Sequence, residues 1–135
     1  MKEPLRFINP ETLGPARGYS NGVLAPSGGA LLFIAGQVGW DAEQRIVSAD
    51  FVEQFDRALA NVLAVVEGAG GTPQQVARLT IYVTDKREYR AARHEIGERY
   101  RARMGLHFPA MALVEVKSLL EDAAKVEIEG IAVIE

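Results

Sequence analysis

The sequence predicts an α+β fold, a two-layer sandwich in which two helices cover one face of a six-stranded mixed sheet. Three observations predict it. Six short apolar runs are bounded by Gly/Pro punctuation, as strands are. Two longer segments carry apolar residues at helical spacing. Their order, β-β-β-α-β-α-β-β, supplies two helices long enough to cover one sheet face and no third layer for the other. At 135 residues the chain is expected to form a single domain over residues 1–135, enough for one core but not for two.

The first strand is short, around Arg6 to Ile8, and ends at Asn9-Pro10. A Gly/Pro-rich connection follows through Gly14-Pro15-Ala16-Arg17-Gly18. Tyr19 to Ala25 and the run Leu31 to Ala35 bracket the turn Pro26-Ser27-Gly28-Gly29 and read as a hairpin. The second arm finishes in Gly36-Gln37-Val38-Gly39-Trp40, whose glycines let the backbone turn or approach something closely. The first helix is marked by Asp50 and Glu53 at capping-box spacing. Phe51, Phe55, Ala58, Leu59, Val62, Val65 and Val66 form its apolar stripe, and Gly68, Gly70 and Gly71 stop it. Val76 to Val83 alternates around Leu79, Ile81 and Val83 as a strand. The second helix is expected from about Lys86 to Met104, with Tyr89, Ala92, Ile96 and Tyr100 on one face and Gly105 as its stop. Two apolar strands, within His107 to Val116 and Lys125 to Val133, close the chain.

Composition narrows the function classes. Hydrophobic content of 48% and charged content of 24% are those of a soluble globule. No apolar run approaches the ~18 residues of a membrane span, and Met1-Lys2-Glu3-Pro4 does not open a signal peptide, so a cytoplasmic location is expected. Without cysteine there is no thiol nucleophile or thiolate metal site. The two histidines, His94 and His107, are too few for a zinc site. A net charge of −3 and an acidic isoelectric point argue against a dedicated nucleic-acid binder. On the fifth strand Ala112, Val114 and Val116 fall on one side and Met111, Leu113 and Glu115 on the other, so both sheet faces are substantially apolar. A sheet face that is apolar and uncovered needs a partner, and oligomerisation is expected.

Taken in order, several segments carry a family resemblance: Gly14-Pro15 with Tyr19-Ser20-Asn21-Gly22-Val23, Phe33-Ile34-Ala35-Gly36-Gln37-Val38, Asn61-Val62-Leu63 and Tyr82-Val83-Thr84-Asp85. To these add His107-Phe108-Pro109-Ala110-Met111-Ala112-Leu113-Val114-Glu115-Val116 and Lys125-Val126-Glu127-Ile128-Glu129-Gly130-Ile131-Ala132-Val133. From Asn9 to Val133 the chain resembles the RidA/YjgF family of enamine/imine deaminases. The resemblance implies a chorismate-mutase-like fold, a homotrimeric barrel with small-molecule clefts between subunits, and no cofactor. It also implies that Glu127 handles the attacking water, that Tyr19 supplies a hydroxyl, and that the Gly36-Gln37 backbone lies close to the ligand. Trp40 stands where the deaminases often carry a proline-bearing segment. It walls the cleft, packs in the core or contacts another subunit.

Each of these residues also has a plainer reading. Glu127 and Glu129 alternate with Val126 and Ile128 as any wet strand face would, Tyr19 can simply pack, and Gln37 can cap a strand end. One position departs from the family. In its Pro-Ala-Arg motif an arginine grips the substrate carboxylate; here Met111 follows Pro109-Ala110. A thioether supplies no charge-assisted hydrogen bond, a loss of roughly ten- to a hundredfold or more in binding a small carboxylate; the plainer reading of Met111 is an apolar filler in a strand. Arg93 lies on the second helix beside its inward stripe, where the deaminases tend to have a cleft-facing asparagine. Either it takes over anion binding or it forms a surface or interface salt bridge, the usual fate of its neighbours Arg87, Arg90, Arg99, Arg101 and Arg103. Three functions follow: a RidA-like hydrolase with altered substrate preference, a non-catalytic small-ligand-binding trimer, and, less favoured by the acidic charge, a ribonuclease or translation inhibitor.

Overall fold

The chain runs through β1 (Arg6–Ile8), β2 (Gly22–Leu24), β3 (Ala30–Val38), α1 (Phe51–Gly68), β4 (Val76–Val83), α2 (Lys86–Ala91), α3 (Arg93–Met104), β5 (Ala110–Glu115) and β6 (Val126–Ile134). The computed structural model describes residues 4–135; Met1, Lys2 and Glu3, which open the segment read above as no leader, lie outside the described residues. The class is the expected one, a mixed sheet with its helices on one face.

Strand pairing differs from the expectation. The sheet has four strands in the order β3-β6-β4-β5, and β1 with β2 forms a separate two-stranded ribbon, so the six strands do not make one sheet. The hairpin expected between Tyr19–Ala25 and Leu31–Ala35 does not form. β2 pairs antiparallel with β1, and β3 pairs antiparallel with β6. A three-residue strand carries little register information, and β3 gains far more by lying along the nine-residue β6. One link joins the ribbon segment to the sheet. Ser20 bridges Ala110 in parallel fashion, its N–H donating to the Pro109 carbonyl at 2.9 Å and its hydroxyl to the Phe108 carbonyl at 2.6 Å.

The expected second helix is two. Ala92, at φ −106° and ψ 14°, leaves helical geometry and separates α2 from α3. Its apolar face survives the break: Ile96 and Tyr100 are buried, with Tyr89 and Ala92 packed against them. The first helix starts as expected, with the Asp50 carboxylate accepting from the Glu53 N–H at 3.0 Å. The Glu53 side chain turns away from the cap to meet Arg99 at 2.5 Å. Asp56 one turn later accepts from Arg99 at 3.2 Å and from Arg103 at 2.7 Å, clasping α3 to α1. Those hydrogen bonds, Arg103's foremost, hold the Asp56 carboxyl below its ordinary range.

The core fills the space between helices and sheet with Phe55, Leu59, Val62 and Val66 of α1, Leu79, Ile81 and Val83 of β4, and Val126, Ile128 and Ala132 of β6. Gln54 is fully buried inside it. Its amide donates to the Ser48 carbonyl at 2.9 Å and the Ala123 carbonyl at 3.0 Å, and accepts from the Lys125 N–H at 2.8 Å. One side chain thus ties two loops and the entry of β6. Gln54→Leu leaves those three backbone groups without partners, and is expected to lower unfolding stability by about 3 kcal/mol in urea denaturation, with secondary structure retained.

Candidate functional site

Strand alternation divides the candidate residues between two faces of the sheet. Met111 and Leu113, in register with the core residues Leu79 and Ile81, point toward the helices. There they floor a cavity of about 580 Å³, walled by Tyr19, Phe55, Tyr89, Arg93, Ile96, Tyr100 and Phe108. Tyr19 reaches it because the neighbouring Ser20 is held on Phe108 and Pro109 by the two hydrogen bonds described above. Arg93 reaches it as the first residue of α3, just after the break at Ala92. Phe108 stacks on Tyr100 with ring centroids 5.4 Å apart. The Tyr100 hydroxyl donates to the His107 carbonyl at 2.6 Å, and burial pushes its pKa well above the ordinary tyrosine value. His107 donates from Nε2 to the Val76 carbonyl at 2.7 Å, so both side chains do structural work.

Two further cations, Arg17 and Arg101, complete the cavity rim. Arg101 was expected to be a solvated, carboxylate-paired helix residue; among the described residues it has no such partner. A sequence signal did exist. Gly97 sits mid-helix four residues earlier, where glycine costs about 1 kcal/mol relative to alanine. A Cβ there would lie 3.0 Å from Nη1 of Arg101, so the guanidinium lies back over the glycine. Arg17 lies in a loop with no periodicity to mark it.

Glu127 belongs to the other face. Val126, Ile128 and Ala132 of β6 are in the core, so Glu127 and Glu129 emerge on the side without helices. The register of β3 shifts between Ile34 and Gln37, and at this irregularity Gly36 comes against Glu127. A Cβ on Gly36 would lie 2.7 Å from the Glu127 carboxyl carbon, so only glycine leaves that carboxylate in place. Glu127 has no hydrogen-bond or ion-pair partner among the described residues. Its cross-strand neighbour is Tyr82, whose hydroxyl donates to Glu129.

Gln37 and Trp40 do not line the cavity. Gln37 donates to the Ala35 carbonyl of its own strand at 3.2 Å. Trp40 is half-buried at a corner where Asn61 of α1 donates to the carbonyls of Val38 and Trp40, both at 3.0 Å. Tyr19, Arg93 and Met111 therefore come together, and Gly36 and Glu127 come together, but the two groups do not meet. Met111 pairs with Leu79 and Glu127 with Tyr82, three residues along β4 and two strand spacings across. That is a backbone separation of about 14 Å, with the side chains on opposite faces. Among the described residues no three His, Cys, Asp or Glu side chains converge as a metal site would require, and no helix is long and apolar enough to cross a membrane.

Comparison with known proteins gives a consistent result. A family model described as endoribonuclease L-PSP matches residues 10–134. The chain is 35% identical over 134 residues to a RutC family protein of Pyrococcus horikoshii, covering 98% of each. It is 33% identical over 124 residues to the 2-iminobutanoate/2-iminopropanoate deaminase of Salmonella typhimurium, covering 92% of this chain and 91% of that one. Among solved structures it is similar to a Rid family protein of Yersinia pestis whose function is described as unknown, with a TM-score of 0.86, 34% identity, and coverage of 98% of this chain and 100% of that one.

The open-face cluster makes its own prediction. The hydrogen bond to Glu129, first, and loss of solvent, second, raise the Tyr82 pKa above the ordinary value near 10. The neutral phenol then contributes stability that is fully present below pH ~10 and is lost as pH rises through the folded value. Alkaline absorbance titration is expected to show late-ionising tyrosines. Tyr82→Phe removes one of them and leaves that of Tyr100; an unchanged titration curve for this variant would contradict the Tyr82–Glu129 pairing.

Proposed function

The chain belongs to the RidA/YjgF family, described also as endoribonuclease L-PSP, and from that membership we propose that it is a hydrolase acting on an enamine, an imine or a related small amino acid derivative. The observation that carries the reading is the Glu127 carboxylate, packed over Gly36 on the open sheet face and, unlike its neighbour Glu129, without a side-chain partner among the described residues. A carboxylate so placed serves as a general base. It accepts a proton from water as the water oxygen bonds to the carbon of the protonated imine, passes that proton to the carbinolamine nitrogen, and takes up the hydroxyl proton as the carbon–nitrogen bond breaks to leave a carbonyl compound and ammonia. An enamine substrate is first protonated at carbon. Neither step needs a cofactor.

The rest of the site is completed by self-association, in the homotrimer with ligand clefts between copies that the family resemblance implies. What supports it is the open sheet face, where Phe33 is 71% exposed, Leu31 60% and Val114 43%. In that assembly the Tyr19, Arg93 and Met111 half of one copy faces the Gly36 and Glu127 half of another. Tyr19 contributes a hydroxyl, Arg93 the cation that Met111 does not supply, and Gln37 and Trp40, at the Gly36 end of β3, edge the cleft. Met111 itself favours a second reading, a small-ligand-binding trimer without turnover, because its thioether cannot hold a substrate carboxylate as an arginine does. The ribonuclease reading remains the least favoured on the chain's net charge of −3; of the second-helix arginines it drew on, Arg87, Arg99 and Arg103 are occupied by Asp85, Asp56 and Glu53.

Static light scattering at micromolar concentration is expected to give three times the 14.7 kDa chain mass, and a monomer would contradict the shared cleft. Ammonia and keto-acid release from 2-aminoacrylate generated in situ, and from larger imino acids, tests the chemistry. Glu127→Gln is expected to lower kcat by about 100-fold or more. Saturable binding of these compounds with no product would establish the second reading instead.

A further inference from the structure

We propose that the cavity over Met111 takes an anion carrying two acid groups separated by an apolar body. As a substrate class, a dicarboxylic enamine or imine, this rests on the hydrolase reading; as a binding site it stands on the cavity alone. The arginines of this region sort into two sets. Arg87 is matched by Asp85, and Arg99 and Arg103 by Asp56, all away from the cavity. The three that line the cavity, Arg17, Arg93 and Arg101, form no ion pair among the described residues, and the lining contains no aspartate or glutamate. In a chain of net charge −3 this is a local concentration of unneutralised positive charge.

The three guanidinium groups come from two walls. Arg17 stands on the loop that leads to Tyr19, whereas Arg93 and Arg101 stand on α3. Arg101 is turned back over Gly97, which puts its head about one helical turn nearer to Arg93. One carboxylate meets the α3 pair, and a second is needed to meet Arg17. Between the walls the floor is apolar, built from Met111, Leu113 and Phe108. A volume of about 580 Å³ leaves most of the space empty around a three-carbon acid and suits a longer ligand. Met111 fits the same reading. An arginine there would add a fourth cation at the centre of the floor, whereas a thioether packs against the ligand's hydrocarbon body.

Titration calorimetry of the whole protein with adipate and with hexanoate, which share a chain length and differ in one carboxylate, tests the inference. At low ionic strength adipate is expected to bind at least tenfold more tightly than hexanoate. The guanidinium groups are solvent-exposed, so 0.5 M salt should narrow that ratio. Arg17→Gln and Arg101→Gln, both surface side chains, should each bring the ratio to within about twofold of unity while light scattering and circular dichroism stay unchanged. Equal binding of the two acids, no binding of either, or a preference that survives both substitutions would overturn the proposal. Glu127→Gln removes none of the three arginines and should keep the preference for adipate over hexanoate. Loss of imine turnover in every assay with this preference intact would therefore count against the hydrolase reading and not against the diacid site.

Discussion

A sheet covered on one face only is the constraint on which the rest of the molecule depends. The helices α1 and α3 bury Val126, Ile128 and Ala132 of β6, and the period of two along a strand then sends Glu127 and Glu129 to the opposite side. On β5 the same rule directs Met111 and Leu113 inward to the helical face. No rotamer change brings the two sets together, because they are separated by the sheet itself. One chain therefore carries the two groups on opposite faces, and Leu31, Phe33 and Val114 remain exposed on the open one, the surface that the proposed assembly would cover.

Small polar devices hold each half in place. Ser20 anchors the loop of Tyr19 to the carbonyls of Phe108 and Pro109, and Gln54 and Asn61 secure the corners where β6 begins and β3 ends. The half-site on the open face depends on glycine. At Gly36 a single methyl would displace the Glu127 carboxylate; on the helical side, at Gly39 just past β3, a Cβ would meet the Gln54 carbonyl oxygen at 2.6 Å. A bond from backbone to side chain over a short distance is enough to set these positions, and each is buried or half-buried where water cannot compete.

Much of this was legible in the sequence, for physical reasons that differ by element. The start of α1 was readable because capping is local: Asp50 and the Glu53 N–H are three residues apart. Glu127, Tyr19 and Arg93 are candidates by the resemblance of ordered segments, and Arg93 also by its place beside an apolar stripe; the structure places Tyr19 and Arg93 on one cavity and Glu127 on the opposite face. The pairing of β2 was misread because three residues contain no partner information, and a turn-like Pro26–Gly29 sequence suited a crossing between ribbon and sheet as well as a hairpin. The break at Ala92 carries no glycine or proline to announce it. Alternation separated Met111 from Ala112 but could not say which of them faced the helices; that depends on β5 lying parallel to β4, a contact between distant segments. Arg17 and Arg101 escaped for a related reason, since a charged residue reveals its role only when its potential partners are seen to be elsewhere.

Cross-linking between introduced cysteines measures whether the half-sites meet across chains. The sequence contains no cysteine, so Tyr19→Cys and Glu127→Cys create unique attachment points. Treatment of a mixture of the two single variants, co-refolded into common assemblies, with a short bis-maleimide should yield covalent dimers on a denaturing gel. The doubly substituted chain should give dimers and closed trimers. Only intrachain-linked monomer from the doubly substituted chain, with no covalent dimer from the mixture at a concentration where the protein is oligomeric, would contradict a site divided between copies.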